Sequence, residues 1–94
     1  MQSKSIYKIP DGKLLKISLI YDKKNRTIDK ISIMGDFFAY PEESIELLEN
    51  ELINTKLDED SLFNKINTII KKNNIEFIGL NPKGLTTAIM MCLK

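Results

Sequence analysis

The chain contains no histidine and a single cysteine, Cys92, so the groups able to do chemistry are carboxylates, lysines, hydroxyls and one thiol. Ser-His-Asp and Cys-His catalysis are excluded. So are histidine-ligated zinc, a cysteine metal cluster and an intramolecular disulfide. Cys92 falls on the apolar stripe of a helix-like segment, which favours a buried, inert thiol over a nucleophile. The acidic groups Glu42-Glu43 and Asp58-Glu59-Asp60 are of a type that collects divalent cations. Both stand where helical sequence begins, however, and capping accounts for them. Neither G-x-x-x-x-G-K-[ST] nor G-x-G-x-x-G occurs, so no phosphate-cradling loop is encoded. Asp11-Gly12-Lys13 carries a glycine and a lysine but joins two strand-like segments, as a hairpin turn does. A stand-alone enzyme finds no constellation here.

What remains is Gly35-Asp36-Phe37-Phe38, followed by Ala39-Tyr40-Pro41-Glu42-Glu43. On extended backbone Phe37 and Phe38 point to opposite sides, so one can enter a core while the other faces out. Gly35 signals a bend or a close backbone approach, and the Asp36 carboxylate can bond nearby N–H groups. Two readings stand: a packed corner between sheet and helix, or an anchor for another protein, an aromatic beside a carboxylate being suited to that. The two are compatible.

The elements that must position this segment follow from periodicity. Ninety-four residues suit one domain, residues 1–94, burying roughly 60–65% of the unfolded surface. Ser5 to Ile9 is a short strand. Pro10-Asp11-Gly12-Lys13 turns the chain, and Leu14 to Asp22 is the clearest strand, with Leu15, Ile17, Leu19 and Tyr21 on one face. Lys23-Lys24-Asn25-Arg26 makes a second, solvated reversal. Thr27 to Gly35 follows, with Ile31 and Ile33 in phase and Ile28 out of phase, the mark of a bulge or a late start.

Helical spacing then takes over. Pro41 suits a first helical position, and Glu42 and Glu43 suit the positive end of the dipole. Ile45, Leu48 and Leu52 form the stripe, widened by Leu47. Asp58 or Asp60 caps a second helix with Leu62, Phe63, Ile66, Ile69 and Ile70 as its apolar face, ended by Lys71-Lys72-Asn73-Asn74. Ile75 to Leu80 is a strand or a packed loop. Asn81-Pro82 opens a last helix lined by Leu85, Ala88, Ile89 and Cys92. Three strands followed by two or three helices give an α+β fold, a three-stranded antiparallel meander covered on one face. The other sheet face, with Leu14, Lys16, Ser18 and Ser32, is left to solvent or a partner.

Charge and composition bound the partners. Fourteen basic and 13 acidic side chains leave a net charge of +1, against a protein devoted to phosphate backbones. The start of the chain lacks the apolar stretch of a secretory signal, and no segment approaches the length of a membrane span. A soluble, cytoplasmic protein of a reducing compartment is expected.

Residues 8–52 resemble the C-terminal accessory domain of lipoate–protein ligases, and more specifically the free-standing small subunit of bipartite ligases. The matching segments are Lys8-Ile9-Pro10-Asp11-Gly12-Lys13-Leu14-Leu15-Lys16, Ile31-Ser32-Ile33-Met34-Gly35-Asp36-Phe37-Phe38, and Tyr40-Pro41-Glu42-Glu43 with Leu47-Leu48-Glu49 and Leu52. A weaker likeness continues through Ile78-Gly79-Leu80 to the last helix. The resemblance implies a fold of the sulfur-acceptor and iron–sulfur scaffold type and a division of labour. A catalytic subunit, joined to this chain as a heterodimer, uses ATP, Mg and lipoate to form lipoyl-adenylate and lipoylates a lysine of an acceptor domain. The accessory chain binds no cofactor, supports adenylate formation and carries no catalytic residue. Absence of a preceding catalytic domain fits a separate subunit, and equally a piece cut from a longer ligase. The partner interface expected from the matching segments is Gly35, Asp36, Phe37 and Phe38, with Lys13 and Lys16 as secondary candidates. The alternatives are a protein-binding or scaffold module of the same fold, or a small nucleic-acid binder. Scaffold chemistry calls for exposed loop cysteines, and nucleic-acid binding for a G-x-x-G clamp or stacking aromatics on a basic sheet.

Overall fold

The computed structural model describes residues 1–10 and 12–93. Asp11, the second residue of the first expected turn, lies outside the described residues. The elements run β1 (Gln2–Lys8), β2 (Leu14–Asp22), β3 (Thr27–Gly35), β4 (Phe38–Tyr40), α1 (Ser44–Glu51), α2 (Glu59–Asn73), β5 (Glu76–Ile78) and α3 (Pro82–Met91).

Strict alternation in β2 makes the main sheet. Leu15, Ile17, Leu19 and Tyr21 are buried, while Leu14, Lys16 and Ile20 face out. Each such aliphatic side chain stabilises the fold by about 1.5–3 kcal/mol through burial. β1 and β3 pair antiparallel on either side of β2, so Lys16 lies between Ile6 and Met34 and Ile17 between Ser5 and Ile33. β1 starts earlier than the expected Ser5: Gln2 pairs with Ile20, and the Met1 amine donates to the Tyr21 carbonyl at 2.8 Å. The residues Gln2-Ser3-Lys4 carry no strand pattern of their own; the long edge of β2 recruits them.

The register of β2 and β3 shifts between Ile20, opposite Lys30, and Tyr21, opposite Ile28. Asp29 is the extra residue of a bulge, which restores Ile28 to the core face. That accounts for its phase relative to Ile31 and Ile33. The Asp22 carboxylate closes the following reversal, accepting from the Lys24 and Asn25 N–H groups at 2.9 and 3.1 Å.

The outer edge of β3 is covered. The Glu49 carboxylate of α1 accepts from the Ile33 N–H at 2.7 Å. Residues 54–57 bond Ile28 and Arg26: the Asn54 N–H donates to Ile28 O at 2.7 Å, and the Leu57 N–H to Arg26 O at 2.8 Å. Such cover blunts an edge that would otherwise pair with another chain.

Helices cover the inner face of the sheet, α1 and α3 directly and α2 through its packing on both. α3 lies against β1, β2 and α2, and α1 against β3. Leu48, Leu52, Leu62, Ile66, Ile69, Leu85, Ala88 and Ile89 meet the inward residues of β2 and β3. The Ser5 hydroxyl donates to the Ala88 carbonyl at 2.7 Å, fastening β1 to α3. Caps set the helix ends. Asp58 accepts from the Ser61 N–H at 3.1 Å and opens α2; Asn74, in the left-handed conformation with φ 52°, closes it. The Asn81 side chain accepts from the Gly84 N–H at 2.6 Å, with Pro82 beginning α3.

Three local expectations are corrected. Pro41 does not open α1: it sits in a turn closed by the Ser44 N–H donating to Pro41 O at 3.0 Å, and Glu43 is the cap position. Phe63 lies at the rim of the α2 stripe and is exposed. A second, two-stranded antiparallel sheet of β4 and β5 joins the three-stranded one. The fold is α+β, as expected, with that addition. No helix among the described residues is long and apolar enough to cross a membrane.

Candidate functional site

The end of β3 is where main sheet, small sheet and first turn converge. Gly35 pairs with Leu15, and the Asp36 N–H donates to Leu14 O at 3.2 Å. A Cβ on Gly35, where φ is 156°, would be driven into that same Leu14 carbonyl. Glycine is therefore required by close approach of the two strands. From the opposite side, the Lys13 N–H donates to Gly79 O at 3.2 Å, just after β5. Gly79 has φ 85°, and a Cβ there would lie 2.6 Å from Lys13 Cγ and 3.6 Å from Phe37 Cβ. Lys13, Gly35, Asp36, Phe37 and Gly79 thus form one corner.

The two phenylalanines divide their roles. Phe37 packs on the core, partly buried. Phe38 is 64% exposed and pairs with Ile78, which is 51% exposed; Tyr40, at the end of β4, is 50% exposed. An apolar cross-strand pair facing water is unusual in a sheet that exists only to brace a turn. Among the described residues Asp36, Lys13 and Lys16 form no ion pair, and the exposed Asp36 carboxylate is not consumed by a cap.

Lys16 stands apart from the other expected site residues. It is on the outer face of the main sheet, between Ile6 and Met34, two ladder positions from Asp36. The structure also adds Ile78 and Gly79, far away in sequence, whose only local signal is a short apolar run ending in glycine. No group of three or more His, Cys, Asp or Glu side chains among the described residues is placed to share a metal ion. Cys92 is buried beside the Ser5 hydroxyl, Sγ to Oγ 3.5 Å, and burial pushes its thiol pKa above the ordinary value. These surroundings disfavour the thiolate that nucleophilic chemistry needs. The corner can do one thing well: present Phe38, Ile78, Tyr40 and a free carboxylate to another surface.

Known proteins point the same way. Residues 14–89 match the family model described as bacterial lipoate protein ligase C-terminus. A solved structure of a bipartite lipoate protein ligase and its E2 lipoyl domain from Thermoplasma acidophilum contains a similar chain. The two are 27% identical with a TM-score of 0.79, over 95% of this chain and 94% of that one. A search of curated proteins finds no match. The chain belongs to the family of bacterial lipoate protein ligase C-terminal domains, in which it has an accessory role.

Proposed function

We propose that this chain is the non-catalytic accessory subunit of a lipoate–protein ligase. It docks on a catalytic subunit and promotes ATP-dependent formation of lipoyl-adenylate, and through it the lipoylation of acceptor-domain lysines. The observation that carries this reading is the near-complete mutual coverage, 95% and 94%, with a chain from a bipartite ligase. The likeness therefore spans nearly the whole of a chain found in a bipartite ligase. In this reading ATP, Mg and lipoate are handled by the catalytic subunit: the sequence here has no phosphate-cradling glycine loop, and among the described residues no group of three or more His, Cys, Asp or Glu side chains is placed to share a metal ion.

A helper of this kind acts by preferring one conformation of its partner, or by closing over the site and excluding water. A tenfold rise in rate requires about 1.4 kcal/mol of such preference, within reach of a few desolvated side chains. The proposed contact is the corner of Gly35, Asp36, Phe37 and Phe38, with Lys13 beside it and Lys16 on the adjoining sheet face. Asp36→Ala and Phe38→Ala, checked for native folding, are to be assayed for lipoyl-adenylate formation with the catalytic subunit present. Impaired activity and binding support the assignment; normal values in both variants overturn it.

A further inference from the structure

Net charge conceals a strong polarity. Residues 1–35, which make the main sheet, carry eight basic and three acidic side chains; residues 36–94 carry six and ten. The basic excess is concentrated on the sheet face that no helix covers. Lys4, Lys8, Lys16 and Lys30 all stand there, and Asp29, the exposed extra residue of the bulge, is the carboxylate beside Lys30 at one end. Between the lysines lie Ile6, 62% exposed, and Met34, 56% exposed, with Leu14 and Ile20 also open. The ladder sets them in a checkerboard: Lys8 opposite Leu14, Ile6 and Met34 flanking Lys16, and Ile20 opposite Lys30. At the centre Ser18 faces Ser32 in a shallow depression of about 150 Å³ that Gln2, Ile20 and Lys30 help to line.

We infer that this outer sheet face is the main docking surface for the catalytic ligase subunit, and that the complementary surface there is acidic and studded with apolar side chains. The inference rests on the proposed function and extends the contact beyond the corner. Lysine stems lie along aliphatic neighbours while their ammonium groups reach outward, so the face offers apolar contact and positive charge together. A partner carboxylate fits the hydroxyl-lined depression between Ser18 and Ser32, within reach of Lys30.

Size supports continuity with the corner. Seven residues on three strands give a footprint of roughly 23 by 14 Å, or ~320 Å². A stable interface needs about 800 Å² from each partner. β3 carries Met34, ends at Gly35 and leads directly into Asp36 and Phe38, so the docking surface extends onto the corner. Nucleic acid is the poorer occupant. The face has no aromatic side chain for stacking, and phosphate would leave Ile6 and Met34 without apolar contact.

The test is binding of the catalytic subunit from the same organism to the full chain and to two variants. One is Lys4→Glu/Lys16→Glu/Lys30→Glu; the other is Ile6→Ser/Met34→Ser. All these side chains are exposed, and thermal denaturation establishes that both variants fold. Expected are a loss of about one hundredfold in affinity for the charge reversal, since like charges then meet across the interface, and about tenfold for the serine pair. Wild-type binding should also weaken as salt is raised. Unchanged affinity in both variants overturns the assignment of this face while leaving the accessory role intact. If the catalytic subunit fails to bind the wild-type chain, the accessory reading itself falls. Binding of a single-stranded oligonucleotide that the charge reversal abolishes, with the catalytic subunit unaffected, assigns the face to nucleic acid and also overturns the proposal.

Discussion

Replacing Phe37 and Phe38 one at a time separates folding from docking at neighbouring positions. Phe38 is 64% exposed. A phenylalanine offers about 200 Å² for burial, so roughly 130 Å² of it remains to be covered by a partner. At ~25 cal/mol per Å² that is about 3 kcal/mol, and truncation to alanine should cost ~2 kcal/mol of binding, or about thirtyfold in Kd. Because most of the ring is already in water, Phe38→Ala should change folding stability by less than about 0.5 kcal/mol. Phe37 packs on the core, and Phe37→Ala should cost about 2–3 kcal/mol of stability. The chain lacks tryptophan, so stability is followed by circular dichroism in urea, and affinity for the catalytic subunit by calorimetry. Equal binding by wild type and Phe38→Ala would refute the reasoning. So would a stability loss in Phe38→Ala matching that of Phe37→Ala, since the ring would then be a structural brace.

Gly35→Ala should destabilise the chain by about 2 kcal/mol or more, because the new methyl group meets the Leu14 carbonyl in a conformation side chains avoid; urea midpoints check this. Acid should weaken the fold below about pH 4. Hydrogen bonds from Asn25 and Lys24 to Asp22, and from Ser61 to Asp58, hold both carboxyls below their ordinary pKa. Their contribution is therefore full above the unfolded value, near 4, and fades as pH falls through the lower folded values. Asp22→Asn/Asp58→Asn should flatten that part of the stability–pH curve. Cys92, buried and with its pKa raised, should react with iodoacetamide at pH 8 far more slowly than in the urea-unfolded chain. Comparable rates would place the thiol at the surface.

Much of this architecture is legible in the residues, for identifiable reasons. β2 and β3 run over the spans their alternation marks, because nine-residue strands with one buried face leave little freedom of register. The α2 and α3 boundaries follow from Asp58, Asn74 and Asn81, whose side chains or backbone satisfy helix ends directly. β4 and β5 are a different matter. Three residues give no readable period, and their pairing joins Phe38 to Ile78 across 40 positions of sequence. Pro41 misleads because proline suits a turn as well as a first helical position, and here Pro41 O closes the turn onto Ser44. The Gly35–Phe38 corner stands out in the sequence, but its completion by Gly79 and Ile78 depends on tertiary pairing. Lys16 belongs to another face altogether, the one that the alternation of β2 leaves to solvent or a partner, and the β1–β2–β3 register sets it between Ile6 and Met34.

What this chain does for its partner can be measured directly. Lipoyl-adenylate formation from lipoate, ATP and Mg is to be measured with the catalytic subunit alone, with this chain alone, and with both at equimolar concentration. No adenylate is expected from this chain alone, and a rise of at least about tenfold over the catalytic subunit is expected when both are present. Equal rates with and without this chain would contradict the accessory role, as would adenylate formed by this chain on its own.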